Sequence, residues 1–138
     1  MKRFLLKTEP SEYSFDDLIR DTTTVWSGIR NATALIHLRT MKKGDEAFLY
    51  HTGNEKQIIG IVQITTDPYP DPKLKNEKLV VIEIRPIRKL DYPVPLSVIK
   101  SKNEFRTFPL VTISRLSVMP VSDAEWKSIL ALSKKVQP

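Results

Sequence analysis

The segment EAFLYHTGNEKQIIGIVQIT, residues 46–65, decides the fold. Residues 46–51 contain a largely apolar run and predict a β-strand, and residues 58–65 predict a second one. Between them, residues 52–55 combine a glycine with polar side chains, as hairpin loops do. Gly60 interrupts the second strand, which is typical of a bulge or of a close approach by another part of the chain. The segment therefore predicts an antiparallel hairpin.

Short helices are predicted on both sides of this hairpin. A polar residue able to cap a helix stands before each of three short segments, at Ser14, Asn31 and Ser122. Asp17 and Glu125 follow the two serines at a distance of three residues and complete capping boxes. The resulting predictions are a helix soon after residue 14, a second over 32–39, and a last one that buries Trp126.

Further strands are predicted at residues 4–7, 79–84 and 113–119. Pro86 requires an edge position or a bulge, and the prolines at 93 and 95 predict a turn before a helical turn or two at 96–101. Residues 67–72 contain three prolines and predict a stiff loop without regular structure. Short, hairpin-linked strands interspersed with helices predict an α+β fold, with a mixed, mostly antiparallel sheet or barrel and flanking short helices.

The length of 138 residues suits a single domain, which we expect over residues 1–134, with a frayed tail at 135–138. The absence of cysteine excludes disulfides, a thiol nucleophile and a zinc–thiolate site. No stretch approaches the roughly 20 apolar residues of a membrane span, so we expect no membrane partner. Without cysteines or a signal-peptide pattern, we expect a cytoplasmic protein.

The positive charge is concentrated in one part of the chain. The net charge is +6, and residues 70–115 hold 10 Lys and Arg against 5 Asp and Glu, whereas residues 1–69 hold 9 of each. A localised basic excess suits a phosphate backbone. The alternative is a surface that only keeps the protein soluble.

One motif suits a flat ligand: Trp26-Ser27-Gly28-Ile29-Arg30-Asn31. Trp26 offers a broad π-face, and Gly28 permits a close backbone approach. Arg30 and Asn31 supply hydrogen-bond donors. A stacking wall beside such donors is what reading an extruded base requires. The alternative is that Trp26 belongs to the core and Asn31 only caps the next helix.

The residues that catalysis needs are sparse. No Gly-rich phosphate loop or dinucleotide motif occurs, so we expect no cofactor, and no metal-ligating histidine motif is present. A triad of Ser114, His51 and an acid can be drawn, but no nucleophile motif surrounds the serine. The residues therefore favour a non-catalytic protein. An enzyme acting on a nucleotide or RNA, and a protein-interaction module, are the alternatives.

Eight blocks of sequence together resemble the EVE domain. They are LLKTEP at 5–10, YSFDDL at 13–18, WSGIRN at 26–31, LRTMKKGD at 38–45, FLYHT at 48–52, IGI at 59–61, YPDP at 69–72 and SRLSV at 114–118. The blocks follow the family's order over nearly the whole chain. The resemblance implies a PUA-like fold, related to the YTH and ASCH domains, that binds a modified base in DNA or RNA.

The resemblance also implies a set of binding residues at the family's motif positions. They are Lys7, Thr8, Glu9, Trp26, Arg30, Asn31, Tyr50, His51, Ser114 and Arg115. Trp26 is expected to stack on the base, and the polar side chains expected to contact its edge are those of Thr8, Asn31 and Ser114. Glu9 is expected to accept from an exocyclic amine; the alternative is a carboxylate bonded to backbone amides or to Arg30. Lys7 and Arg30 are expected to meet a flanking phosphate, and the alternative for Lys7 is a solvated strand residue. The family's usual Asp after the tryptophan is Ser27 here, and its aromatic and glutamine after Arg-Asn are replaced. The choice of base, the choice of DNA or RNA, and the oligomeric state stay open.

Overall fold

The computed structural model describes residues 1–134, so the predicted frayed tail at 135–138 lies outside the described residues. Strands and short helices alternate along the chain. In order they are β1 (Arg3–Thr8), α1 (Phe15–Asp21), β2 (Thr24–Trp26), α2 (Ala32–Arg39), β3 (Glu46–His51), β4 (Gln57–Ile64), β5 (Tyr69–Pro70), β6 (Val80–Pro95), α3 (Leu96–Lys100), a 3₁₀ turn (Asn103–Phe105), α4 (Pro109–Thr112), β7 (Val118–Val121) and α5 (Asp123–Leu132). None of the described helices is long and apolar enough to cross a membrane.

The strands form one curled sheet in the order β2-β6-β4-β3-β1-β7, and β5 adds to β6. β1 pairs in parallel with β3, and the other pairings are antiparallel. The sheet curls into a half-barrel with short helices around it. The predicted α+β class, with a mixed and mostly antiparallel sheet, is confirmed.

The hairpin that decides the fold forms as predicted from β3 and β4, with a register shift at Leu49 and Tyr50. Gly60 lies at this irregularity. A Cβ placed on Gly60 would stand 2.5 Å from Cε2 of Phe15 and 2.7 Å from the carbonyl oxygen of Arg88. Both predicted reasons for this glycine, a bulge and a close approach, therefore hold, and the missing side chain lets α1 pack against the sheet.

The core lies between this hairpin and the surrounding helices. Phe48 is fully buried and stacks on Trp126 of α5, with ring centroids 3.9 Å apart. The guanidinium carbon of Arg3 lies 5.0 Å from the same indole ring. The last helix therefore buries its tryptophan, as its sequence pattern predicts.

The predicted helix caps are confirmed. In the first helix, the hydroxyl of Ser14 accepts from the backbone N–H of Asp17 at 3.1 Å, and the carboxylate of Asp17 accepts from the N–H of Ser14 at 2.8 Å. Ser122 forms the same reciprocal pair at the start of α5. Each cap satisfies N–H groups that have no partner within the helix.

The structure corrects the prediction for the second proline-rich segment. The predicted turn around residues 93 and 95 is wrong, because Val94 pairs with Ile58 and Pro95 with Gln57 at the end of β6. The fixed φ of proline suits an extended strand, so these prolines do not interrupt it. The bulge expected near Pro86 is present as a register shift opposite Ile61 and Val62.

Three shorter segments also differ from expectation. The predicted irregular loop at 67–72 contains the two-residue strand β5, whose Pro70 needs no ladder N–H at this edge. Strand β2 was not predicted, since residues 21–24 have the composition of a loop. The last strand begins at Val118 rather than at 113, because α4 and a turn occupy the preceding residues.

Candidate functional site

A cleft of about 290 Å³ opens where β1 ends beside β2, and we call it the Trp26 cleft. The segment after β1, the start of the α1 region and β2 all contribute to it. Its lining residues are Lys7, Thr8, Glu9, Glu12, Tyr13, Thr24, Val25, Trp26, Ser27 and Ile29. Its volume is at the lower end of the range for small-ligand sites, roughly 300–1,000 Å³.

Two aromatic rings form a wall of this cleft. Trp26 is 8% exposed and is held in β2 opposite Ile82 of β6. Tyr13 meets the indole edge-on, with centroids 6.2 Å apart and planes at 74°. The phenol of Tyr13 donates to Asp21 at 2.9 Å, and burial raises the pKa of this phenol. The rings are therefore fixed before any ligand binds.

The polar side of the cleft presents an ionised carboxylate. Glu9 accepts a hydrogen bond from the backbone N–H of Ser11 at 2.6 Å, and another from the Ser11 hydroxyl. These bonds hold the pKa of Glu9 below its usual value. Thr8 donates its hydroxyl proton to the carbonyl of Tyr13 at 2.6 Å. Glu9 is thus a hydrogen-bond acceptor at neutral pH, whereas the hydroxyl proton of Thr8 is already engaged.

Lys7 stands between the Trp26 cleft and a second one. Its ammonium donates to the carbonyl oxygen of Ser114 at 2.8 Å and lies 5.7 Å from the centroid of the Tyr50 ring. Burial lowers the pKa of Lys7. The second cleft, of about 240 Å³, we call the lysine cleft. Its lining residues are Lys7, Tyr50, Thr52, Gly53, Lys56, Leu96, Lys100, Leu110, Val111 and Ser114.

His51 does not line either cleft. Its side chain is buried, its Nε2 accepts from the backbone N–H of Phe15 at 3.1 Å, and its Nδ1 lies 2.9 Å from Oε1 of Glu55. The accepting Nε2 assigns the proton to Nδ1, which donates to Glu55. Both ring nitrogens therefore have hydrogen-bond partners within the protein, and His51 holds the start of α1 in place.

Arg30 and Asn31 also lie outside both clefts. The side-chain oxygen of Asn31 accepts from the N–H of Ala34 at 3.0 Å, so Asn31 caps α2, as one of the two sequence interpretations stated. Arg30 is exposed and has no hydrogen bond or ion pair within residues 1–134. Gly28 adopts a φ of +82°, and a Cβ there would meet nothing within 4 Å. The backbone conformation, rather than crowding within the protein, calls for glycine at this turn.

The structure therefore divides the ten predicted binding residues. Lys7, Thr8, Glu9 and Trp26 line the Trp26 cleft, and Lys7, Tyr50 and Ser114 line the lysine cleft. The remaining four, Arg30, Asn31, His51 and Arg115, line neither. Sequence reasoning missed Tyr13 as a wall of the first cleft and Lys56 and Lys100 in the second. Tyr13 stands in one of the blocks quoted for the resemblance, and this was the available signal.

The basic residues of segment 70–115 do not gather in one cleft. Lys100 lines the lysine cleft, and Lys73 lines a third cleft that shares Thr24, Val25 and Ser27 with the Trp26 cleft. Others have partners of their own: Lys89 pairs with Asp16 at 2.6 Å. Of the basic residues in segment 70–115, Lys73 and Lys100 therefore place a positive charge at these clefts.

The family model for the EVE domain matches residues 2–132, nearly the whole chain. The chain belongs to the EVE domain family. Thymocyte nuclear protein 1 of Homo sapiens is 30% identical over 166 aligned residues, which cover 96% of this EVE domain chain and 74% of that protein. The predicted family resemblance is confirmed.

Solved EVE-type structures share the fold across the whole chain. Rpa0253 from Rhodopseudomonas palustris superposes with a TM-score of 0.93 at 34% identity, covering 100% of this chain and 97% of that one. Human THYN1 in complex with 5-methylcytosine-containing DNA gives a TM-score of 0.91 at 29% identity, covering 99% of this chain and 100% of that one. An EVE domain thus binds DNA in at least one relative.

Proposed function

We propose that this EVE domain is a non-catalytic nucleic-acid-binding protein that holds a modified base, of the 5-methylcytosine class, in the Trp26 cleft. One observation carries the proposal. Trp26 and Glu9 line the same cleft, which has the size of a base, and hydrogen bonds from Ser11 hold the pKa of the Glu9 carboxyl below its usual value. The structure of human THYN1 with 5-methylcytosine-containing DNA supports the same ligand class.

The two sides of the cleft suit the two parts of a methylated cytosine. Trp26 offers stacking, which is worth roughly 1–3 kcal/mol per base in single-strand binders. Glu9 can accept from the exocyclic amine, since carboxylates accept from N4 of cytosine. Its carboxylate has about four acceptor positions, and the bonds from Ser11 use only part of them. Ile29 adds an apolar side chain to the lining, suited to a methyl group.

A base inside a duplex cannot enter this cleft while it is stacked. The ligand is therefore a single strand, or a duplex from which one nucleotide is turned out, at a cost of a few kcal/mol. The net charge of +6 supplies attraction to phosphates, so binding should weaken as salt rises. RNA as a partner, and a cytoplasmic location, stay predictions.

The environment of His51 supports the non-catalytic part of the proposal. A general base needs a free nitrogen within hydrogen-bond reach of the group that loses its proton. Glu55 and the backbone of Phe15 occupy the two ring nitrogens of His51. Ser114 contributes its carbonyl to Lys7, and its side chain has no hydrogen-bond partner among the described residues. The triad considered from the sequence is therefore not favoured.

The test is a comparison of oligonucleotides that differ by one methyl group. Dissociation constants are measured for DNA and RNA strands carrying one cytosine or one 5-methylcytosine, with the wild type, Glu9→Gln and Glu12→Gln. Glu12 lines the same cleft and has no ion pair in residues 1–134, so its variant controls for the loss of one charge. We expect preference for the methylated strand, with Glu9→Gln losing about 1–3 kcal/mol and Glu12→Gln little.

Two results would contradict the proposal. Equal affinity for methylated and unmethylated strands would remove the base-reading role. A reaction product that accumulates with time, followed by mass spectrometry and lost in His51→Ala, would replace a binding protein with an enzyme.

A further inference from the structure

The charged side chains that line the lysine cleft are all positive. Lys7, Lys56 and Lys100 line it, and none of its lining residues is an aspartate or glutamate. Lining hydroxyls and apolar side chains complete a concave surface of about 240 Å³. Glu55, the carboxylate next to Lys56 in the chain, is engaged by His51 at 2.9 Å. Three lysines in a cleft whose lining residues include no carboxylate suit an anion, and the carboxylate oxygen that lies against a lining residue is Oε1 of Glu9, beside Gly53.

Lys56 and Lys100 have their side chains available for such a ligand. Neither forms an ion pair or a side-chain hydrogen bond within residues 1–134. Both are exposed, so their ammonium groups can reach a ligand without leaving a partner. Both lie in the same cleft as the half-buried Lys7.

The backbone at Lys56 is strained in a way that fixes its position. Its φ is +47°, a left-handed conformation that non-glycine residues adopt uncommonly. The N–H of Leu96 donates to the carbonyl oxygen of Lys56 at 2.8 Å and holds this conformation. Strain of this kind persists where the surrounding structure enforces it, and it clusters at ligand sites.

Lys7 connects the lysine cleft with the Trp26 cleft, since it lines both. Among residues 1–134, its ammonium has the carbonyl of Ser114 as its only hydrogen-bond acceptor and the Tyr50 ring as a π-contact. Burial penalises its charged form and lowers its pKa. A bound anion would offset this penalty, because an opposite charge at short range favours the ammonium.

We propose that the lysine cleft binds a backbone phosphate of the nucleic acid, adjacent to the nucleotide whose base occupies the Trp26 cleft. This assignment rests on the proposed function. Because Lys7 borders both clefts, one strand can place a base in the first and the neighbouring phosphate in the second. The phosphate contact carries no sequence information and sets the position of the strand. Free phosphate has the same chemistry and is the other possible source of the anion.

The test compares two double variants of equal charge. Lys56→Gln/Lys100→Gln removes two cations from the cleft, and Lys127→Gln/Lys134→Gln removes two exposed ones that line neither cleft. Dissociation constants for methylated and unmethylated strands are measured across a salt series. We expect the cleft variant to reduce the slope of log K against log salt by about 1 per lysine. The methylated-to-unmethylated affinity ratio should stay within about twofold of the wild type, since phosphate contacts act on all sequences alike.

The outcomes separate this inference from the proposed function. Equal slopes in the two double variants overturn the phosphate assignment, even if the methyl preference persists. Loss of the methyl preference in the wild type overturns the base-reading role, while a slope change specific to the cleft variant still supports the phosphate site.

A second measurement identifies the source of the anion. Inorganic phosphate is titrated into the ¹⁵N-labelled protein, and the amide shifts of Gly53 and Lys56 are followed. Shifts at these amides with no oligonucleotide binding would overturn the backbone assignment in favour of free phosphate. Weak shifts that an oligonucleotide abolishes by competition would support it.

Discussion

Trp26 and Trp126 are buried to nearly the same degree, 8% and 4% exposed, yet their surroundings differ. The ring of Phe48 stacks on Trp126 at 3.9 Å and the guanidinium of Arg3 lies over it, so protein groups occupy its π-surface. Trp26 meets Tyr13 edge-on and lines an open cleft. Both side chains belong to the hydrophobic core, and of the two it is Trp26 that also lines the Trp26 cleft. Burial alone does not show which aromatic residue can also meet a ligand.

We propose that the two residues have different tasks. Stacked Phe48 and Trp126 gain from aromatic contact in addition to burial, and they join α5 to the central hairpin. Trp26 lies in β2 at the end of the sheet path, where a strand can present a side chain to a cleft. The following experiments ask whether stability and binding separate along this division.

The largest expected effect is on the stability of Trp126→Ala. Removing the indole leaves a cavity beside Phe48, and such a truncation costs about 3–5 kcal/mol of unfolding free energy. Urea unfolding measures this loss. The affinity for an oligonucleotide, expressed per folded molecule, should stay as in the wild type. A reduced affinity of the folded fraction would break the division between the two tryptophans.

Trp26→Ala should affect binding more than folding. We expect a loss of about 1–3 kcal/mol in binding free energy, because the stacking surface disappears. The loss in unfolding free energy should be smaller than that of Trp126→Ala. Trp26→Phe is the matched control, since it keeps an aromatic face and should retain part of the affinity. A stability loss as large as that of Trp126→Ala, with unchanged affinity, would place Trp26 in the core.

His51→Ala tests whether His51 stabilises the fold by holding the start of α1 at Phe15. The variant removes the acceptor of the buried Phe15 N–H, which costs about 1–3 kcal/mol of unfolding free energy. His37→Ala is the control, because its imidazole forms no hydrogen bond among the described residues and the change should stay within about 0.5 kcal/mol. Full stability of His51→Ala together with lost binding would return His51 to the role that the resemblance implied.

Asn31→Ala distinguishes a helix cap from a base contact. Loss of the bond to Ala34 should cost about 1 kcal/mol of unfolding free energy. Asn31→Asp keeps an accepting side-chain oxygen and should retain most of this stability. Affinity per folded molecule should not change in either variant. A fall in affinity in both would mean that Asn31 contacts the ligand.

The smallest expected effect is the pH dependence associated with Glu9. Its folded-state pKa lies below the ordinary value, so Glu9 stabilises the folded state above the ordinary carboxyl pKa of about 4.3. This contribution is lost as pH falls through the lower, folded-state value. Ser11→Ala should raise the pKa of Glu9 toward its ordinary value, which an NMR titration of the carboxyl carbon measures. Ser11→Thr keeps the hydroxyl and should leave the titration nearly unchanged.

The local parts of the fold could be predicted from the sequence. The caps at Ser14, Asn31 and Ser122 depend on contacts within one turn, and the hairpin depends on the five-residue loop 52–56. Strand β2 could not be predicted in this way. Its three residues are held by pairing with Glu83 and its neighbours, almost sixty positions later in the chain. The same holds for the long strand β6, whose prolines look like turn residues until their partners in β4 are known.

The candidate site divides along the same line. Trp26, Glu9 and Lys7 lie together in one cleft, as a shared binding site requires, and their role in binding stays a prediction. From the sequence alone, the polar groups of Asn31 and His51 look as suitable for a ligand as those of Glu9 and Lys7. Which protein group they satisfy depends on where α2 and α1 begin, so their place outside the cleft required the structure.

The close contacts around Gly60 limit which amino acids position 60 can accept during evolution. Phe15 enters the space that any Cβ at Gly60 would occupy, and Phe15 is also the residue whose N–H His51 holds. Alanine, the smallest replacement, would therefore displace the beginning of the helix that follows Tyr13. A smaller side chain at position 15 would not be enough to admit it, because the carbonyl oxygen of Arg88 in β6 stands 2.7 Å from the same Cβ. Position 60 is therefore expected to stay glycine, while the cleft residues change with the ligand.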